Sequence, residues 1–171
     1  LYVHLPWCVR KCPYCDFNSH AVPAGGFAEQ AYVDALVGDL EHAAQRAAGR
    51  EIVAVFFGGG TPSLFAPASI ERVLAGARSL LPFATDAEVT LEANPGTIEH
   101  GRFSEYAAAG VNRVSLGAQS FDDARLAGLG RIHTAGAVDR AVAELPSAGL
   151  TNFNLDLMYA LPGHHLRGAL C

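Results

Sequence analysis

Basic residues are sparse. Twelve Lys and Arg stand against seventeen Asp and Glu in 171 residues, a formal net charge of −5, and the basic residues form no run. Nucleic-acid binding needs a basic patch or stripe, so no nucleic-acid partner is expected. No stretch reaches the roughly 18 apolar residues of a bilayer-spanning helix, so no transmembrane segment is expected either. No signal peptide is expected, since the sequence enters a short strand directly. Internal repeats beyond a βα unit and low-complexity segments are also missing. Half of the residues are hydrophobic and 17% are charged, the composition of a folded domain with a core. Position 1 is Leu rather than Met, and the sequence stops soon after Leu161-Pro162-Gly163, where a new element is due. Residues 1–171 are therefore expected to be one incomplete domain whose C-terminal part lies elsewhere.

Cysteine is scarce as well, but unevenly so. Three of the four cysteines fall within eight residues, as Cys8-Val9-Arg10-Lys11-Cys12-Pro13-Tyr14-Cys15. Disulfides are rare in the cytosol, where clustered thiols more often bind metal or do redox chemistry, and a cytoplasmic protein is expected. The fourth, Cys171, has no assigned role. C-x3-C-x2-C suits an iron–sulfur cluster: three thiolates hold three irons of a cubane and leave one open to a small molecule. The alternative is a structural zinc with His4, His20 or Asp16 as fourth ligand, although no second C-x2-C knuckle is present.

Apolar β-like runs alternate with Ala-rich helical stretches. Strands are predicted over 1–5, 52–57, 88–93, 113–117 and 152–158. Helices are predicted over 27–48, 67–81, 98–109, 122–129 and 135–145, with a loop over 21–26. The continuous run Ile52–Phe57 reads as a parallel strand buried on both faces. Strands separated by helices imply parallel pairing, in an open doubly wound sheet or a (β/α) barrel. The unusual residues favour the barrel, because Cys8, Gly58–Gly60, Glu92, Gln119 and Asp156 all fall near strand C-termini. A barrel gathers all strand ends around one site, whereas an open sheet concentrates its ligand at one switch point. The expected fold is α/β, a partial (β/α) TIM-type barrel of about five βα units.

Gly58-Gly59-Gly60-Thr61-Pro62 follows the second strand without the G-K-[ST] ending of a phosphate loop. It reads either as a tight turn or as backbone opened to a ligand. Glu92 can accept hydrogen bonds from ribose hydroxyls or an ammonium group, Gln119 offers an amide, and Asp156 needs a partner if buried. Arg131 can pair with a ligand carboxylate.

These motifs resemble the radical SAM superfamily nearly end to end. Leu1–Cys8, Cys12–Phe17, Gly58–Ser63, Ser115–Ser120 and Leu129–His133 resemble its oxygen-independent coproporphyrinogen oxidase branch, and within it the HemW heme chaperones. The resemblance implies a [4Fe–4S] cluster on Cys8, Cys12 and Cys15, with S-adenosylmethionine (SAM) chelating the open iron. It also implies SAM contacts from Tyr2, the Tyr14 backbone, Gly59, Gly60, Thr61, Glu92, Gln119, Arg131 and Asp156. Two functions follow. One is a heme chaperone that passes heme to an accepting protein. The other is an oxidase of porphyrin biosynthesis, in which an electron from a flavodoxin-type donor cleaves SAM and the radical formed attacks a porphyrinogen propionate. The oxidase has a fourth Cys where this chain has Phe17, which favours the chaperone. The chaperones' C-terminal heme-linked stretch, H-N-x-x-Y-W, is not in the sequence.

Overall fold

The computed structural model describes residues 1–47, 49–97, 102–161 and 163. Among the described residues, seven strands and five helices follow in order: β1 (Tyr2–Leu5), β2 (Trp7–Cys8), β3 (His20–Ala21), α1 (Glu29–Ala47), β4 (Ile52–Gly59), α2 (Pro67–Leu80), β5 (Phe83–Ala93), α3 (Arg102–Ala108), β6 (Arg113–Gln119), α4 (Asp123–Gly128), α5 (Ala135–Glu144) and β7 (Phe153–Leu157). Five of the strands form one sheet in the order β1-β4-β5-β6-β7. Every neighbouring pair in it is parallel. Each strand is laid beside the previous one with no reversal of direction across the sheet. That is barrel winding and excludes the doubly wound alternative.

Among the described residues, helices cover only one face. Val3, Leu5, Val55, Phe57, Val89, Leu91, Val114 and Leu116 join Val33 and Leu40 of α1, Ile70 and Leu74 of α2, Phe103 of α3 and Val138 of α5 in a single core. Successive strand residues point to opposite faces, so the residues between these belong to the concave side. There stand Phe56, Thr90, Glu92, Arg113, Ser115, Asn154 and Asp156. This corrects the expectation for 52–57. Val55 and Phe57 are buried, Phe56 is half-buried and Val53 is exposed, because the concave face meets no helix among the described residues.

β5 begins five residues before the predicted start, at Phe83, which pairs with Ile52 ahead of a register shift. Thr85 and Asp86 hide this part of the strand from an apolar-run reading. Of the predicted helix over 98–109, residues 98–101 lie outside the described residues, as do Pro162 and Cys171. β2 and β3 form a two-residue parallel pair that closes the base of the cysteine segment, Trp7 beside His20 and Cys8 beside Ala21.

Helix ends are fixed by side chains from other elements. Glu29, at the start of α1, accepts the Ala66 N–H at 2.8 Å and the Ser69 hydroxyl at 2.6 Å, capping α2 where Ala66 offers no cap of its own. The buried Tyr106 hydroxyl donates toward the carbonyls of Ser63 and Phe65 at 2.9 and 2.8 Å. Burial pushes its pKa up to about 12, so it remains a donor. It thereby fixes the 3-10 turn Pro62–Leu64 directly behind the glycine run.

Candidate cluster and ligand site

Two chain segments are zipped together at the start of the site. Gly60 N–H donates to Leu5 O and Thr61 N–H to Trp7 O, both at 2.8 Å. A Cβ on Gly60 would lie 2.6 Å from the Pro6 carbonyl carbon and 2.7 Å from Trp7 O, so only glycine lets the backbones approach this closely. Cys8 is thereby set against the glycine run.

The loop that follows is held at both ends by cations. Arg10 donates to the carbonyls of Gly130 and Arg131, and Lys11 to those of Phe17 and Ser19 at 3.0 and 3.1 Å. Gly130 has φ +72°, and a Cβ there would lie 2.9 Å from Pro13 Cδ. The cysteine loop thus rests on the turn that carries Arg131. Arg131 reaches back: NH1 lies 3.7 Å from Cys12 Sγ and 3.4 Å from the Tyr14 hydroxyl, and NH2 donates to Gly117 O at 2.9 Å. Its Nε is buried without a partner.

The sheet supplies the opposite wall. Glu92 Oε2 accepts the Gly59 N–H at 3.1 Å. Burial, then the nearby Asp156 charge, raises the Glu92 pKa above its usual value, while the Gly59 hydrogen bond and His4 oppose the rise. Gln119 closes β6 with φ +65°, a left-handed conformation costing about 1 kcal/mol for a non-glycine residue. Its carbonyl accepts the Met158 N–H at 2.9 Å, tying the ends of β6 and β7 together. Just behind, buried His133 sits between Asn94 Oδ1 at 3.1 Å and Ala118 O at 3.0 Å. Burial, its largest cause, lowers the His133 pKa.

These walls enclose a cavity of about 540 Å³, within the range of cofactor sites. Every residue expected at the site lines it except Tyr2. Tyr2 stands on the concave face beside Phe56 and bonds His4 Nδ1 at 3.0 Å. Sequence reasoning missed Arg10, Ser115, Asn94 and Met158, which also line the cavity. Ser115 had a signal, since polar residues recur at every second position of its strand.

The donor set fits an iron–sulfur cluster. Cys8, Cys12 and Cys15 are free, half-buried thiols on one wall. Among the described residues no three His, Cys, Asp or Glu side chains converge on a single-ion position. Thiolates serving three separate irons need no such convergence. Of the alternative zinc ligands His4, His20 and Asp16, the two histidines turn to Asn18 at 2.9 and 3.1 Å. The Arg131 guanidinium lines the cavity with NH1 3.7 Å from Cys12 Sγ, a cation placed to suit a ligand carboxylate next to an open iron.

A parallel partial barrel with a three-thiol loop at its strand ends defines a class, and comparison with known proteins names it. The Radical SAM superfamily matches residues 2–167, and the chain belongs to that superfamily. It is similar to a heme chaperone, HemW, of Escherichia coli K12, with 51% identity over 99% of this chain and 45% of that protein. A HemW of Haemophilus influenzae is 48% identical over the same shares. The bovine mitochondrial radical S-adenosyl methionine domain-containing protein 1 is 40% identical over 97% of this chain and 37% of that protein. The chain therefore spans less than half the length of these relatives. Among solved structures, it is similar to the coproporphyrinogen III oxidase HemN of Escherichia coli, described as a radical SAM enzyme. The TM-score there is 0.88 at 30% identity, covering 99% of this chain and 39% of that one. Among the described residues no helix is long and apolar enough to cross a membrane.

Proposed function

We propose that this chain is the cluster- and SAM-binding part of a heme chaperone of the HemW kind, working in the cytoplasm. The observation that carries the SAM reading is the single cavity shared by the three thiols, the glycine run and four polar strand-end and loop side chains. Cys8, Cys12 and Cys15 would hold a [4Fe–4S] cluster, which when bound supplies one-electron chemistry. Arg131 would pair with the SAM carboxylate. Glu92 and Asp156 would accept hydrogen bonds from its ammonium or hydroxyl groups, Gln119 would present its amide, and the backbone of Gly59–Thr61 would flank the methionine part. Tyr14 would flank SAM from the cysteine loop, and Tyr2 would act from the base of the concave face.

The chaperone reading over the oxidase reading is supported by the identity to HemW proteins across the whole chain and by Phe17. That ring lines the cavity and is 64% exposed, at the position where the oxidase has its additional cysteine. The structural likeness to HemN keeps oxidase activity as the second reading. Full-length protein is expected to bind heme and SAM without converting coproporphyrinogen III. Anaerobic assay with substrate, reductant and SAM checks this, and robust conversion overturns the chaperone reading in favour of the oxidase. Heme transfer to an accepting protein, and reduction by a flavodoxin-type donor, belong to the same proposal.

A further inference from the structure

Hydrogen-bond direction around Asp156 is fixed from a distance. The concave faces of β6 and β7 carry Arg113 and Ser115, and Asn154 and Asp156, at alternate positions, with Ser115 beside Asn154 in register. Arg113 can only donate. Its guanidinium is held by Thr90 Oγ1 at 3.3 Å and lies 3.8 Å from Glu88 Oε2, and its NH2 donates to Asn154 Oδ1. An amide whose oxygen is taken there must turn its NH2 the other way. Asn154 Nδ2 accordingly donates to Asp156 Oδ1 at 2.8 Å and to Ser115 Oγ at 3.1 Å. Ser115, having accepted that bond, directs its one proton to Asp156 Oδ2 at 2.8 Å. Both oxygens of Asp156 thus receive a protein donor. Asp156 and Ser115 line the cavity, whereas Arg113 and Asn154 stand behind it.

We propose that Arg113, Asn154 and Ser115 form a directional relay that fixes the orientation in which the Asp156 carboxylate, an acceptor, faces the cavity, selecting a ligand group that donates, such as a hydroxyl or an amine. Arg113 and Asn154 act through Asp156 and are positioning residues. The inference rests on the SAM reading, since SAM offers ribose hydroxyls and amino groups. It adds that the orientation of one amide decides whether they are accepted. Asn154→Asp replaces that NH2 with an oxygen. Arg113 keeps its acceptor and gains an ion pair, but Asp156 Oδ1 then faces a second carboxylate oxygen and must turn away from its ligand-binding position.

The test uses full-length protein with its cluster rebuilt anaerobically. SAM affinity is measured by equilibrium dialysis, alongside iron content and melting temperature of the same samples. Asn154→Asp is expected to weaken SAM binding about tenfold or more while iron content and melting temperature hold, a split that a merely structural residue does not produce. Undiminished SAM binding in this variant overturns the relay. If it does not fold, Arg113→Met decides. Freeing the amide to flip is expected to weaken SAM binding about three- to tenfold, and unchanged affinity overturns the relay. Wild-type protein that binds no SAM overturns the SAM reading itself, and the relay's ligand with it.

Discussion

At the scale of single residues, Glu92 shows a site held against stability. Its pKa is raised above 4.5, first by burial and then by Asp156. A carboxyl with a raised folded pKa binds its proton more tightly folded than unfolded. Stability therefore falls as pH climbs from about 4.5 through the higher folded value, and stays lower beyond it. Glu92→Gln keeps an oxygen for the Gly59 N–H and removes the charge. Melting temperature is expected to lose that fall with pH and to exceed wild type at pH 7, while SAM affinity drops. An unchanged melting profile would show that the buried charge costs nothing. Glu92 was legible in the sequence because a charge stood inside an apolar strand run. Arg113, Ser115 and Asn154 were not, because a polar residue at every second strand position reads equally well as a solvated face. Only closure around a lumen gives that pattern its second meaning.

Among elements, the cysteine loop matters most. It has almost no regular structure of its own. Its shape comes from the two-residue β2–β3 pair, from the carbonyls gripped by Arg10 and Lys11, and from Pro13 resting on Gly130. None of this follows from the C-x3-C-x2-C spacing, which identifies the thiols without showing what holds them. Gly130→Ala meets both a left-handed φ and a Cβ 2.9 Å from Pro13 Cδ, so the loop must lift from the Arg131 turn. The variant is expected to keep its far-ultraviolet circular dichroism, because the helix–sheet core is remote, and to retain less iron after anaerobic reconstitution. Full iron retention would show that the loop's seat on this turn does not govern cluster binding. The five main strands and their helices were legible because each carried its own periodicity and stop signals. β5 began earlier than expected because polar residues sat on its first half.

For the molecule as a whole, barrel winding explains why residues far apart in sequence meet. Cys8, Gly60, Glu92, Gln119 and Asp156 each lie at or near the same end of one of five adjacent parallel strands, so sequence order becomes angular order around one cavity. This arrangement was readable in the sequence, because the unusual residues fell at successive strand ends. The one-sided core was not: an apolar β4 fits burial on both faces as well as burial on one. Among the described residues β1 and β7 are the sheet edges, and the relatives are more than twice as long.

The central claim is that the three thiols hold an iron–sulfur cluster with an iron open to SAM. Electron paramagnetic resonance of the anaerobically reconstituted and reduced protein, with and without SAM, tests it most directly. The account predicts about four iron and four sulfide per chain and a cluster signal whose g-values shift when SAM is added. Bound zinc with neither iron nor sulfide, or a cluster signal indifferent to SAM, would contradict it.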